Sequence, residues 1–128
     1  MRALLDTHTL LWFFEDSPRL SARVTQLLAA ASTDAVISIA SLWEIAIKMS
    51  VGKLTINYAF DDLIATQLPQ NDIVLLSVSA QHVAGVVDLP LHHRDPFDRM
   101  LVAQSVAEYL PIISADPIFD VYRVQRIW

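Results

Sequence analysis

Short apolar runs and longer amphipathic segments alternate along this chain. Strands are predicted at residues 3–5, 35–39, 73–76 and 111–114, and a final strand is predicted at 124–128. Between them, apolar residues recur every three or four positions, which is the spacing of a helix that buries one face. Strands that alternate with helices are typical of a parallel sheet covered by helices. The pattern therefore predicts an α/β fold, namely a three-layer α/β/α sandwich with a central, mainly parallel sheet.

Local signals set the ends of the predicted helices. Residues 16–18 (DSP) break the first helix, Ser21 is a candidate N-cap of the second, and Gly52 stands just past the end of the third. Pro69 is expected to end the fourth helix, and Asp95 to cap the last. The predicted helices span residues 7–15, 21–31, 40–51, 61–67, 79–87 and 96–109, with one further turn that begins at Asp116.

Length and composition describe a small globular protein with apolar residues to spare. The 128 residues are enough for one core, and we expect residues 1–128 to form a single domain. Hydrophobic residues make up 54% of the chain and charged residues 18%, against typical shares of about 45–50% and about 25%. The surplus is expected to lie at the surface, where apolar patches usually mark an interface.

Several classes of protein are excluded by residues that the chain lacks. It has no cysteine, so disulfides, thiolate zinc sites and cysteine nucleophiles are excluded. Its two glycines, Gly52 and Gly85, cannot form the glycine-rich loops that bind nucleotide phosphates. The longest segment without Asp, Glu, Lys or Arg, residues 73–87, is shorter than the roughly 18 residues of a membrane span. Because Asp6 interrupts the first apolar run, no signal peptide is predicted, and we expect a cytoplasmic protein.

Four acidic residues lie where a parallel sheet would place a functional site. Asp6 directly follows the first predicted strand, and Asp116 comes just after the fourth. Glu44 and Asp98 lie in helices that follow apolar segments. In open parallel sheets, functional crevices lie outside the carboxyl ends of the strands. The four acids could therefore meet in one crevice, although a negative charge such as Asp98 in the first turn of a helix is also favourable by itself.

The other acids have structural alternatives as well. Asp6, Asp95 and Asp116 all stand at the start of predicted helices, where a carboxylate caps free N–H groups. Glu44 could form an exposed ion pair with Lys48, four residues later.

Burial argues against an exposed pair for Glu44. We expect its helix to be buried on most sides, because apolar residues surround it. They are Leu42, Trp43, Ile45, Ala46, Ile47 and Met49. A buried carboxylate needs a partner, since desolvation of an unpaired charge is very costly, and a metal cation would supply one. Oxygen ligands without cysteine or a histidine pair suit Mg²⁺ or Mn²⁺ rather than zinc.

A metal would also change what the net charge implies. The formal net charge of −5 argues by itself against a nucleic-acid partner. Carboxylates in one pocket repel one another unless divalent cations lie between them, and two such ions would offset most of that charge. A nucleic-acid substrate is then no longer excluded. Candidates for contacts with its backbone, each with a solvated surface role as the alternative, are Lys48, Lys53, Arg94 and Arg99.

Four segments together resemble a known family. They are residues 4–12 (LLDTHTLLW), 41–48 (SLWEIAIK), 93–104 (HRDPFDRMLVAQ) and 114–119 (SADPIF). In this order and spacing they are similar to the four blocks of PIN-domain proteins of the VapC toxin type. The resemblance implies a PIN-like fold with a pocket of acids that binds Mg²⁺ or Mn²⁺. Members of this type are endoribonucleases, usually made beside a small VapB-type antitoxin that blocks them, and are commonly homodimers.

The resemblance also implies roles for individual residues. The catalytic and metal-binding residues would be Asp6, Glu44, Asp98 and Asp116. Thr7 and Ser114 would orient a carboxylate or a water. Lys48, Arg94 and Arg99 stay candidates for RNA binding, and Asp95 matches a helix cap. No ligand role is assigned to His8, His92 or His93.

The aromatic residues Trp12, Phe13 and Phe14 are candidate anchors for an antitoxin, because large aromatic side chains dominate interface energetics. Packing into the core is the alternative for all three. The resemblance thus implies three partners, namely an RNA substrate, an antitoxin and a second copy of the chain.

Two other functions fit part of this pattern. A phosphatase of the haloacid dehalogenase type also has an Asp after its first strand, but it needs a second Asp two residues later, where this chain has His8. The other is a non-catalytic, acid-rich binding module of the same fold that binds a basic partner peptide. The presence of all four acids favours a metal-dependent endoribonuclease over both.

Overall fold

A computed structural model describes the chain from Met1 to Trp128. Its strands form one five-stranded sheet. They are β1 (Arg2–Leu5), β2 (Asp34–Ser38), β3 (Val74–Leu76), β4 (Ile112–Ile113) and β5 (Arg126–Ile127). Their order across the sheet is β3-β2-β1-β4-β5, and every neighbouring pair is parallel. The predicted parallel sheet is confirmed, with small differences at the strand ends.

Helices connect the strands. They are α1 (Thr7–Phe14), α2 (Ala22–Ala29), α3 (Ile39–Ser50), α4 (Phe60–Asp62), α5 (Leu68–Gln70), α6 (Ala80–Val87) and α7 (Pro96–Glu108). A π-helical turn (Leu63–Gln67) joins α4 to α5, and a 3₁₀ turn (Pro117–Val121) follows β4. None of the helices combines the length and the hydropathy needed to cross a membrane.

Apolar side chains cover both faces of the sheet. Successive residues of a strand point to opposite faces, so Ala3 and Leu5 enter one apolar core while Leu4 enters another. The first core also contains side chains from α1, α2 and α3, and the second contains side chains from α7 and the 3₁₀ turn. Two cores on opposite faces produce the three layers that the sequence predicts.

The central strand positions the first of the candidate acids. β1 pairs with β2 on one side and with β4 on the other, and Ala3, Leu4 and Leu5 have no exposed surface. Asp6 is the next residue along the chain, so the most protected strand of the sheet holds its backbone in place.

Several helix ends follow the sequence signals. Asp95 caps α7, since its Oδ1 accepts hydrogen bonds from the backbone N–H groups of Phe97 (2.9 Å) and Asp98 (3.1 Å). Ser21 caps α2 in the same way. Gly52 follows α3 with a φ of 74°, a left-handed conformation that favours glycine.

The expectation that Pro69 ends its helix is wrong. The π-helical turn shifts the hydrogen-bonding register, and the N–H of Leu68 bonds to the carbonyl of Leu63. Pro69 therefore stands in the first turn of α5, where a missing N–H breaks no helical bond. The helical segment continues to Gln70.

The expectation that α3 is buried on most sides is also wrong. α3 packs against β2, α1 and α7, which leaves its outer face free. On that face Trp43 is 63% exposed, and Ile47 is exposed as well. Glu44 lies on the inner face, so its predicted burial is confirmed. The cause is its position on that face and not burial of the whole helix.

Candidate active site

The carboxyl ends of β1 and β4 bring the first acid and a serine together. Leu5 pairs with Ile113 across the two strands, and the next residues on each strand are Asp6 and Ser114. Asp6 is only 5% exposed. Its Oδ2 accepts a hydrogen bond from the Ser114 hydroxyl (2.5 Å), and its Oδ1 accepts one from the backbone N–H of Thr9 (2.8 Å). Asp6 therefore does cap α1, but in doing so its carboxylate is fixed at the end of the sheet.

Glu44 faces the same end of the sheet from α3. Its side chain is buried, and its Oε1 accepts a hydrogen bond from the hydroxyl of Thr7, the first residue of α1 (2.6 Å). Its Oε2 accepts one from Lys48 Nζ (2.7 Å). The ion pair between Glu44 and Lys48 thus exists, but the Glu44 carboxylate is buried rather than exposed. The bond from Thr7 also ties Glu44 to the start of α1, because Thr7 directly follows Asp6 in the chain.

Asp98 lies in the first turn of α7, and its pKa reports the other acids. Burial raises this pKa from 3.8 to about 7, with further contributions from the negative charges of Asp95, Asp6, Glu44 and Asp116. Carboxylates raise one another's pKa only when they lie close together, so a contribution from these charges indicates proximity. Asp98 therefore lies close enough to Asp6, Glu44 and Asp116 for their charges to contribute to its raised pKa.

Asp116 completes the group from the chain that follows β4. Its Oδ1 accepts a hydrogen bond from the N–H of Ile118 (3.0 Å), so it caps the 3₁₀ turn. Its own N–H donates to the Ser114 hydroxyl (3.0 Å), and this hydroxyl in turn donates to Asp6. Ser114 thus ties the two acids that follow the strands to each other. Asp116 is exposed, unlike Asp6 and Glu44.

The basic residues singled out from the sequence have different surroundings. Lys48 is paired with Glu44, whereas Arg94 is exposed. Arg99 points its guanidinium at backbone carbonyls, among them that of Pro90 (2.9 Å). An RNA contact by Arg99 would compete with these bonds, so among the three Arg94 is the most accessible candidate.

One residue beside the acids was given no role on sequence grounds. His93 Nε2 lies 3.4 Å from Asp98 Oδ2, and His93 Nδ1 lies 2.7 Å from the hydroxyl of Tyr122. Tyr122 is distant in the sequence, so no pattern predicted this contact. The only available signal was that His93 stands close before Asp98 in the HRDPFD segment.

The four acids supply the donors that a hard divalent cation prefers. Carboxylate oxygens suit Mg²⁺ and Mn²⁺, and mutual repulsion at Asp98 favours a cation between the acids. As the side chains stand, no three acidic or histidine side chains converge closely enough to bind one ion. Ion binding therefore requires the side chains to draw together. Asp98 and Asp116 are the less enclosed of the four and have room for this change.

The PIN domain model matches residues 3–125 of the chain. The chain belongs to the PIN domain family. All four acids of this PIN domain lie within the matched range. No curated protein sequence is significantly similar to it.

Solved structures share the fold of this PIN domain at low sequence identity. VapBC2 from Rickettsia felis, bound to a DNA fragment from its promoter, has a TM-score of 0.75 at 16% identity, covering 99% of this chain and 98% of that one. FitAcB from Neisseria gonorrhoeae has a TM-score of 0.69 at 17% identity, covering 100% and 97%. VapBC-1 from nontypeable Haemophilus influenzae has a TM-score of 0.67 at 18% identity, covering 99% and 97%. At these identities the likeness shows the fold alone.

Proposed function

We propose that this PIN domain is a metal-dependent endoribonuclease toxin of the VapC type, neutralised by a cognate antitoxin. PIN domain membership supports a nuclease, that is, a hydrolase acting on nucleic acid. The observation that carries the proposal is the geometry at the carboxyl edge of the sheet, where the Ser114 hydroxyl joins Asp6 to the backbone of Asp116 and Thr7 bonds Glu44. The carboxyl edge of a parallel sheet is where functional crevices form, and acids there supply the oxygen ligands that a divalent cation prefers.

The proposed reaction is hydrolysis of an RNA phosphodiester bond by water. Asp6, Glu44, Asp98 and Asp116 would hold Mg²⁺ or Mn²⁺. Such an ion lowers the pKa of a water and offsets the charge that develops on the phosphate. Glu44 is the candidate acceptor for the proton of the attacking water, as an alternative to acting as a ligand.

Other residues keep the carboxylates in place. Thr7 orients Glu44 through its hydroxyl, and Ser114 orients Asp6. Lys48 pairs with Glu44, and would pass from this pair to a phosphate when RNA binds. Arg94 lies exposed near the start of α7 and is available to the RNA backbone.

The chemistry of the cut ends tests this reaction. Attack by water, without an RNA 2′-hydroxyl nucleophile, leaves a 5′-phosphate and a 3′-hydroxyl. We expect labelled RNA incubated with the protein and Mn²⁺ or Mg²⁺ to give these ends, and we expect a chelator to stop cleavage. Ligation of the products and phosphatase treatment distinguish the ends. Products with a 2′,3′-cyclic phosphate, or cleavage that continues after chelation, would reject the mechanism.

We further propose a VapB-type antitoxin as the protein partner. One of the similar structures is a toxin-antitoxin complex from Klebsiella pneumoniae, with a TM-score of 0.65 at 16% identity, and others are VapBC structures. Of the candidate anchors, Phe13 and Phe14 pack partly against the first core. Trp12 is half-buried between His8 and Trp128, whose ring centres lie 5.7 Å and 5.9 Å from its own. Trp12 is therefore the best placed of the three to meet a partner.

A second copy of the chain is the proposed occupant of an apolar groove. The groove runs between α3, α6 and α7. In it Trp43 packs edge-to-face against Phe97, with the ring centres 5.6 Å apart. Its lining residues are Ile39, Ala40, Trp43, Val78, Val83, Pro96, Phe97 and Met100. An exposed apolar groove of this kind is typical of a homodimer interface.

Trp43→Glu is expected to convert the dimer to a monomer. A charge in an apolar interface should weaken association by at least about 30-fold, the size of a single interface hot spot of roughly 2 kcal/mol. Light scattering coupled to size-exclusion chromatography, run over a range of concentrations, measures this change. Tyr109→Glu alters another exposed aromatic residue, just past the other end of α7, and should leave the mass unchanged. A Trp43→Glu variant that stays dimeric would place the interface elsewhere.

A further inference from the structure

His93 lies half-buried beside the acids with one ring nitrogen unused. Its Nε2 is buried and makes no hydrogen bond within the chain, and Asp98 Oδ2 lies 3.4 Å from it. A buried polar atom without a hydrogen-bond partner destabilises a fold, so native proteins usually keep such an atom only where it has a role. Here the group that it faces is the carboxylate with the most strongly raised pKa in the site.

The other ring nitrogen of His93, Nδ1, contacts the hydroxyl of Tyr122, which is itself in contact with Arg99. His93 Nδ1 lies 2.7 Å from the hydroxyl of Tyr122, which is buried. Arg99 Nη1 lies 3.4 Å from the same hydroxyl and 2.9 Å from the carbonyl of Pro90. The other terminal nitrogen of Arg99 contacts the carbonyls of Val86 (3.4 Å) and Leu89 (3.3 Å). The end of α6 and the loop after it thus anchor Arg99, and through it Tyr122.

The chemistry of these groups gives the contacts a direction. A guanidinium only donates, so the Tyr122 oxygen accepts from Arg99. The Tyr122 O–H can then donate to His93 Nδ1, although a hydroxyl oxygen also has a second lone pair that could accept from this nitrogen, so the direction of the contact follows the tautomer of the ring. In the tautomer in which Tyr122 donates, the ring proton is on Nε2, the nitrogen that lies 3.4 Å from Asp98 Oδ2.

We propose that His93 is a positioning residue for Asp98, with Tyr122 and Arg99 holding its Nε2–H toward the Asp98 carboxylate. This inference rests on the proposed function, in which Asp98 is a metal ligand. As the acids draw together around a cation, this N–H would bond one oxygen of Asp98 and leave the other for the cation. Partners that orient a ligating carboxylate in this way set metal affinity.

The tautomer of His93 provides a first test that needs neither metal nor RNA. Long-range ¹H–¹⁵N NMR of the metal-free protein, at mildly alkaline pH, distinguishes a proton on Nε2 from one on Nδ1. Tyr122→Phe provides the assignment, because it removes the only group bonded to Nδ1. We expect Nε2–H in the wild type. A proton on Nδ1 would overturn the proposal, because His93 could then not donate to Asp98.

Metal binding provides the second test. We expect His93→Ala to weaken Mn²⁺ binding about 10–100-fold, which is the usual effect of removing a group that orients a ligand. His93→Gln keeps an N–H donor on a side chain of similar length and should recover most of the affinity. His92→Ala is the matched control, since His92 also packs on the Tyr122 ring but makes no contact with an acid. Calorimetry or the electron paramagnetic resonance signal of free Mn²⁺ measures the affinity, and thermal melts without metal confirm that each variant folds.

The outcomes separate this inference from the proposed function. Unchanged Mn²⁺ affinity in His93→Ala, in a protein that cleaves RNA, overturns the role of His93 alone. Weakened affinity in that variant, with no RNA cleavage by the wild type, overturns the nuclease and supports the role of His93. A wild type that binds no Mn²⁺ overturns both.

Discussion

Asp98→Asn is expected to abolish RNA cleavage while leaving the fold intact. The substitution removes a partly buried carboxylate of the proposed metal site, and with it a charge that would attract a divalent cation. We expect the rate to fall by about 10²–10³-fold, as when one group that stabilises transition-state charge is removed. Single-turnover cleavage of labelled RNA in saturating Mn²⁺ measures the rate, and titration with Mn²⁺ measures the loss of affinity.

Asp95→Asn is the matched control for this prediction. It makes the same chemical change three residues away, and Asn caps a helix about as well as Asp does. Cleavage by this variant should stay within a few-fold of the wild type. If Asp98→Asn and Asp95→Asn lose the same activity, Asp98 has no special place in the site. If the wild type never cleaves RNA but Asp98→Asn loses a basic partner peptide, the chain is the non-catalytic binding module instead.

The same substitution is expected to stabilise the metal-free protein at alkaline pH. Burial and repulsion raise the pKa of Asp98 from 3.8 to about 7 in the folded state. Ionisation of Asp98 is therefore less favourable in the folded than in the unfolded chain, and it lowers the free energy of unfolding. The shift corresponds to at most roughly 4 kcal/mol at full ionisation, and solvent screening of this partly exposed group lowers that figure. The asparagine side chain would carry no charge at any pH, and the free energy of unfolding should therefore be higher in the variant.

The pH window of this effect follows from the two pKa values. Below pH 3.8 the carboxyl is protonated in both states and costs nothing. As the pH rises toward 7, the folded state keeps a proton that the unfolded chain has lost, so the stability of the wild type falls progressively relative to the variant. Above that value the full difference is present.

Urea unfolding at a series of pH values, in chelator, measures this difference. Asp61→Asn changes an exposed acid in the first turn of α4 and should show no such trend. Added Mn²⁺ should then stabilise the wild type but not Asp98→Asn. A stability difference that stays constant from acidic to alkaline pH would mean that neither burial nor the neighbouring charges raise the pKa of Asp98 in the folded protein.

Much of the fold could be predicted because its signals are local. A strand that ends in Asp6 and a helix capped by Asp95 depend on neighbouring residues, and both are present as predicted. The order of strands and helices was enough to predict that Asp6 and Asp116 lie at the same edge of the sheet, since the carboxyl ends of parallel strands share one edge.

The features that could not be predicted depend on distant residues. Whether Trp43 is buried is decided by what α3 packs against, and the apolar composition of the helix does not reveal that its outer face is free. His93 and Tyr122 meet only in the folded chain. Glu44 presented two interpretations, an ion pair with Lys48 or a buried ligand, and the structure shows that the pair and the burial coexist.

The hydrogen bond from Ser114 to Asp6 joins two residues that are 108 positions apart. During synthesis, Asp6 is therefore made 108 residues before the serine that bonds its carboxylate. A truncated or unfinished chain lacks β4, β5 and Asp116, and so cannot carry out the cleavage that we propose. An antitoxin that is already present would thus have the time in which these 108 residues are translated to meet the chain before the proposed site is complete.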